Sequence, residues 1–84
     1  MYAQYQTADL ALQAAVLIHS IAEGQPFIEG NKRTADLAGL VFLEANGHAL
    51  DVLPEAFAQW IEDLSAGLTE DELATRIRTA LVEI

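Results

Sequence analysis

Gly24-Gln25-Pro26-Phe27-Ile28-Glu29-Gly30-Asn31-Lys32-Arg33-Thr34-Ala35-Asp36-Leu37-Ala38-Gly39-Leu40-Val41-Phe42-Leu43-Glu44-Ala45-Asn46-Gly47 is a short polar loop that runs directly into a segment apolar on almost every side. Gly24 and Pro26 bar helix across the loop, and Gly30 permits backbone angles that other residues resist. Asn31 is a good N-cap for a helix beginning at Lys32, and Asn46-Gly47 supplies the stop after Ala45. Ala35, Leu37, Ala38, Leu40, Val41, Phe42 and Leu43 leave that helix without a polar face, so it is expected to be buried all round. It becomes the central helix of an all-α domain, with Gly39 allowing a close helix crossing. The start of such a helix presents amide N–H groups with no intrahelical partner, a ready place for a phosphate or carboxylate. Lys32 and Arg33 lie in the first turn, where the helix dipole disfavours cations by a few tenths to about 1 kcal/mol. A bound anion reverses that penalty.

Working outward, residues 1–6 carry no periodicity, and Thr7 can cap a helix from Ala8 to about Glu23 whose apolar face is Leu10, Ala14, Leu17, Ile18 and Ile21. Gly24 stops it. Downstream, Ala49 to Leu53 reads as a connector, and Pro54 suits the first turn of a third helix running to about Ala66, with Phe57, Trp60, Ile61 and Leu64 on its inner face. Gly67 closes it. Thr69-Glu70-Asp71-Glu72 is a capping box, and Leu73, Ile77, Ala80, Leu81 and Ile84 mark the inner face of a fourth helix, with Arg76 and Arg78 on its solvated side. His19 and His48 stand without neighbours at ligand spacing and read as a partly packed polar residue and a turn residue. Trp60, at core spacing, reads as core.

Eighty-four residues make one small domain, 1–84, of which 52% are apolar and few are β-branched, a composition of close-packed helices. Four Lys and Arg against thirteen Asp and Glu give a net charge of −9, which repels nucleic-acid backbones and anionic bilayers, so neither is an expected partner. Two of those four cations stand side by side at Lys32 and Arg33, a local reversal of sign. There is no cysteine, which fits a reducing cytoplasm. The longest apolar run, Leu37 to Leu43, is far too short to cross a bilayer.

Glu29, Gly30, Asn31, Lys32 and Arg33 place a carboxylate, a close-approach glycine and two cations within five residues, the parts of a magnesium–polyphosphate site. Mg²⁺ takes one or two carboxylates plus phosphate oxygens, which makes Glu29 its ligand; amides from Gly30 onward, with Asn31, Lys32 and Arg33, can hold the phosphates. Spacing alone leaves open, and slightly favours, a plain N-cap with two solvated charges.

The stretch from Gln25 to Ala35 closely resembles the signature loop of the Fic/Doc family, written His-Pro-Phe-x-Asp/Glu-Gly-Asn-Lys-Arg-Thr-Ala in its death-on-curing (Doc) branch. Ten of those eleven positions are compatible. The likeness continues through Leu40 to Gly47 and, more weakly, through the flanking helices. The resemblance implies an all-α Fido fold and transfer of AMP or phosphate from ATP, with Mg²⁺, to protein hydroxyls; Doc-type toxins phosphorylate elongation factor Tu and pair with an antitoxin. It implies that Glu29 is the metal ligand, that Gly30, Asn31, Lys32 and Arg33 bind the nucleotide phosphates, and that Phe27 anchors the loop.

Gln25 stands where the family has its catalytic histidine. An amide cannot take a proton at neutral pH, and losing a positioned base typically costs about 10²–10⁴ in rate, so transfer is expected to be impaired. Asp36 stands where AMP-transferring relatives carry a further arginine, which favours the Doc branch. The flap segment that holds a target in Doc-like proteins is expected to be missing ahead of the first helix. The expectation is a cytoplasmic Doc-like domain that binds Mg·ATP and is impaired in chemistry. An active phosphotransferase and an antitoxin-binding module are the alternatives, and a homo-oligomer would cover apolar surface on the first and last helices.

Overall fold

The computed structural model describes residues 9–24 and 29–84. Four helices and a two-stranded ribbon follow one another as α1 (Leu10–Glu23), α2 (Glu29–Ala45), β1 (His48–Leu50), α3 (Pro54–Ser65), α4 (Glu70–Ala80) and β2 (Leu81–Glu83). The expected all-α class is observed. One cluster of buried side chains joins all four helices, with Ile18, Leu43, Phe57, Ile61, Leu73 and Ile77 almost wholly enclosed. Each large apolar side chain so enclosed contributes about 1.5–3 kcal/mol relative to exposure.

The enclosed helix is α1, and the expectation of a central α2 buried all round is corrected. α1 packs against each of the other three helices and buries Leu10, Ala11, Ala14, Ala15 and Ile18. Its alanines are the reason: small side chains let two neighbours approach from different directions. α2 instead buries one stripe, Asn31, Ala35, Gly39 and Leu43, spaced every fourth residue. Its opposite side stays in solvent, with Leu37 58%, Leu40 38% and Val41 60% exposed. A segment apolar on every side has no sequence signal for which side is covered, and here α1 and α3 cover only one. The close crossing at Gly39 is present: a Cβ there would lie 2.6 Å from Ile18 Cδ1.

The helix ends follow local chemistry, with three differences. Gly24 caps α1, its N–H donating to Ser20 O at 2.9 Å. Asp9, not Thr7, precedes the first turn of α1; Thr7 and Ala8 lie outside the described residues. α2 begins at Glu29, two residues before the expected N-cap, so Asn31 is a buried residue of its first turn. Gly47, at φ +81°, turns the chain out of α2, and the Asn46 side-chain amide donates to Phe42 O at 2.8 Å. Pro54 opens α3 as expected. Thr69 and Glu72 form the capping box of α4, the Glu72 N–H donating to Thr69 Oγ1 at 3.1 Å and the Thr69 N–H to Glu72 Oε1 at 2.9 Å.

The third difference is at the other end of α4, which stops at Ala80 instead of continuing to Ile84. Leu81–Glu83 runs antiparallel to His48–Leu50 in the register His48↔Glu83, Ala49↔Val82, Leu50↔Leu81. The Asp51 N–H donates to Ala80 O (2.8 Å) and the Ile84 N–H to Gly47 O (3.0 Å), extending the ribbon at both ends. A two-stranded ribbon is marginal in water by itself. This one is held by Leu50 and Leu81, which pack on the core.

Candidate functional site

The loop enters α2 at Glu29, and its first turn carries the residues that the sequence singled out. Gln25, Pro26, Phe27 and Ile28 lie outside the described residues, which leaves the expected positions of Gln25 and Phe27 undescribed. Glu29 and Gly30 are the first two residues of α2, so the amides of the helix start lie at Glu29 to Lys32, beginning upstream of the expected start at Lys32.

From that turn three side chains take two directions. Asn31 faces inward, 7% exposed, with its polar atoms partnered. Lys32 and Arg33 face a cleft of about 240 Å³ between α2 and α3, lined also by Asp36, Ala58, Ile61 and Glu62. Ile61 and Ala58 belong to α3, and they form an apolar wall opposite the two cations.

Lys32 is not free in this cleft. Its Nζ donates to Glu62 Oε1 at 2.9 Å, with the Glu62 side chain 56% exposed. Such a surface pair is worth about 0–1 kcal/mol, so a polyanion can displace it. Asp36 is the second carboxylate, and partial burial raises its pKa above the ordinary 3.8. Two cations therefore face two carboxylates, and the cleft is close to neutral. Glu62, Ala58 and Ile61 were not legible as site residues: thirty positions separate Lys32 from Glu62, and Glu62 is one of thirteen acids in the chain.

Two further polar pairs join elements far apart in sequence. His19 on α1 donates from Nδ1 to Glu70 Oε2 at 2.7 Å, so the histidine taken as an isolated polar residue ties α1 to the start of α4. Arg76, expected on a solvated face, donates to Asp63 Oδ2 at 2.9 Å and ties α4 to α3. Hydrogen bonds from Gln59 and then Arg76 hold the Asp63 carboxyl below its ordinary pKa. Among the described residues no three His, Asp or Glu side chains cluster at metal-binding distance, and no helix is long and apolar enough to cross a membrane.

Comparison with curated proteins finds no significant match, and comparison with solved structures finds none either. The model of the Fic/DOC family matches residues 1–43, just over half of the chain. The matched span takes in α1, the loop and α2 as far as Leu43, and with them Lys32, Arg33 and Asp36 of the cleft.

Proposed function

The chain belongs to the Fic/DOC family, and from that premise we propose that it is a Doc-type domain whose loop and α2 start bind the phosphates of Mg·ATP, with transfer impaired at Gln25. The observation that carries this reading is that Lys32 and Arg33, adjacent at a helix start, line one cleft. In this reading Glu29 is the protein ligand of Mg²⁺. The donor chemistry fits: one carboxylate suits an ion that would take the rest of its oxygens from phosphate and water, and helix-start amides suit the phosphates. Bound there, Mg²⁺ neutralises phosphate charge. The chain's own residues do the rest: Gly30 lets the backbone approach, Asn31 braces the turn, and Arg33 pairs with a phosphate oxygen. Lys32 does the same once Glu62 is displaced. Asp36 in the cleft, where AMP-transferring relatives have arginine, favours phosphate over AMP transfer. The acceptor in this reading is a protein hydroxyl, as on elongation factor Tu, and an antitoxin is the natural regulator of such a domain.

Titration calorimetry with Mg·ATP tests the binding step. The parent protein is expected to release heat, Arg33→Ala to lose most of it, and Glu62→Gln to bind several-fold tighter because Lys32 is no longer held. Absence of heat with the parent, or equal binding by Arg33→Ala, overturns the proposal. Gln25→His tests the chemical step: phosphate transfer from labelled ATP is expected to rise by about 10²–10⁴ and to vanish when Glu29→Ala is added. A parent that already transfers at the rate of Gln25→His removes the claim of impairment.

A further inference from the structure

The exposed side of α2 carries more than loose apolar groups. Arg33, Leu37, Leu40, Val41 and Glu44 stand at i, i+4, i+7, i+8 and i+11, one stripe along the helix, and all five are exposed. Among the described residues neither Arg33 nor Glu44 has an ion-pair partner. The stripe is symmetric in a particular sense: a cation one end, an anion at the other, and leucines between them at equal distances from the midpoint. Turned about a two-fold axis through that midpoint, Arg33 falls opposite Glu44 and Leu37 opposite Leu40. The charges lie about 16 Å apart at 1.5 Å per residue, with the apolar groups between them.

We infer that this stripe is the contact face for a second copy of the chain, paired with the first through antiparallel α2 helices. An isologous two-fold contact requires a surface complementary to itself, and four of the five residues meet that condition, Arg33 with Glu44 and Leu37 with Leu40, while Val41 falls opposite Asp36 at the edge of the stripe. The two ends then hold an Arg33–Glu44 pair each, and Leu37 meets Leu40 of the other copy twice. A foreign partner imposes no such symmetry on the placement of Arg33 and Glu44. One helix face is smaller than the roughly 800 Å² per partner of a standard stable interface, so the dimer is weak and forms at high concentration. The face moves the expected self-association from the first and last helices to α2. Dimer and bound nucleotide compete for Arg33, whose guanidinium is engaged in the dimer by the second copy's Glu44.

Sedimentation equilibrium of the 84-residue chain, without nucleotide, decides it. The parent is expected to show a reversible monomer–dimer equilibrium, and Leu37→Asp to be monomeric. Arg33→Glu and Glu44→Arg each set like charges against one another at both ends, and each is expected to raise the dissociation constant about tenfold. An equimolar mixture of these two variants restores opposite charges at both ends, and it is expected to dimerise like the parent. Circular dichroism confirms that each variant is folded. A strictly monomeric parent overturns the inference, and so does a dimer indifferent to Leu37→Asp. A dimer lost with Leu37→Asp but indifferent to the charge reversals overturns the antiparallel register.

Discussion

Gly39 fixes how closely α2 approaches α1. Its missing Cβ would lie 2.6 Å from Cδ1 and 2.8 Å from Cγ1 of Ile18, with Cζ of Phe57 at 3.6 Å. Ile18 and Phe57 are both enclosed, so neither has room to withdraw. The helix gains about 1 kcal/mol when glycine is replaced by a better helix former, but overpacking here costs more. Gly39→Val is expected to destabilise the protein by about 2 kcal/mol, read as a lower midpoint in urea unfolding at unchanged slope. The same glycine was legible in the sequence as a crossing point because it interrupts an apolar helix with no turn nearby. What it crosses was not legible, since Ile18 is one of several candidates on α1.

α4 is positioned at three levels along its length: the Thr69–Glu72 capping box and the His19–Glu70 hydrogen bond at its start, Arg76–Asp63 midway, and β2 after its end. Thr69→Ala removes the side-chain acceptor for the Glu72 N–H and is expected to cost about 1 kcal/mol, seen as a lower melting temperature. Glu72→Ala is expected to cost less, because only the Thr69 N–H loses its partner and that residue is exposed. The cap was readable because its parts lie within four residues. α3 and α4 were readable for a related reason: each has one apolar face and one polar face, whereas α1, polar only at Gln13, His19, Ser20 and Glu23, was readable by the spacing of its large apolar residues. α2 has no such contrast, so its composition announced burial that its neighbours do not supply. Leu81 misled differently. It continues the helical spacing of Leu73, Ile77 and Ala80, and nothing local reveals that Leu50 offers a strand partner. The polar pairs were invisible because spacing rules reach only a few residues, whereas His19 and Glu70 stand 51 apart.

Across the whole molecule, two carboxylates pull the pH dependence of stability in opposite directions. Asp63, held below its ordinary value of 3.8 by Gln59 and Arg76, stabilises the fold above that value. The contribution is lost as pH falls through the lowered folded value. Asp36, raised above 3.8 by burial, is protonated more readily when folded, so its charge costs stability above the raised value and the cost is relieved on acidification. Asp63→Asn is therefore expected to flatten the acid limb of stability against pH. Asp36→Asn is expected to raise stability at neutral pH and leave a steeper acid limb. Melting temperatures measured from pH 7 down to strongly acid solution test both. Reversed slopes would refute the assignment.

The ribbon between β1 and β2 has a consequence in time. His48 and Glu83 become neighbours only after α3 and α4 have folded back between them, so the closing of this loop adds little stability and comes late. Contacts formed late, with few enclosed side chains to hold them, are the ones that open without the rest of the molecule. Amide exchange is expected to separate the chain into two populations. The Asp51 and Ile84 amides, whose acceptors lie across the ribbon, should exchange through a partial opening insensitive to low denaturant. Leu73 and Ile77, enclosed in the core, should exchange only when the whole protein unfolds.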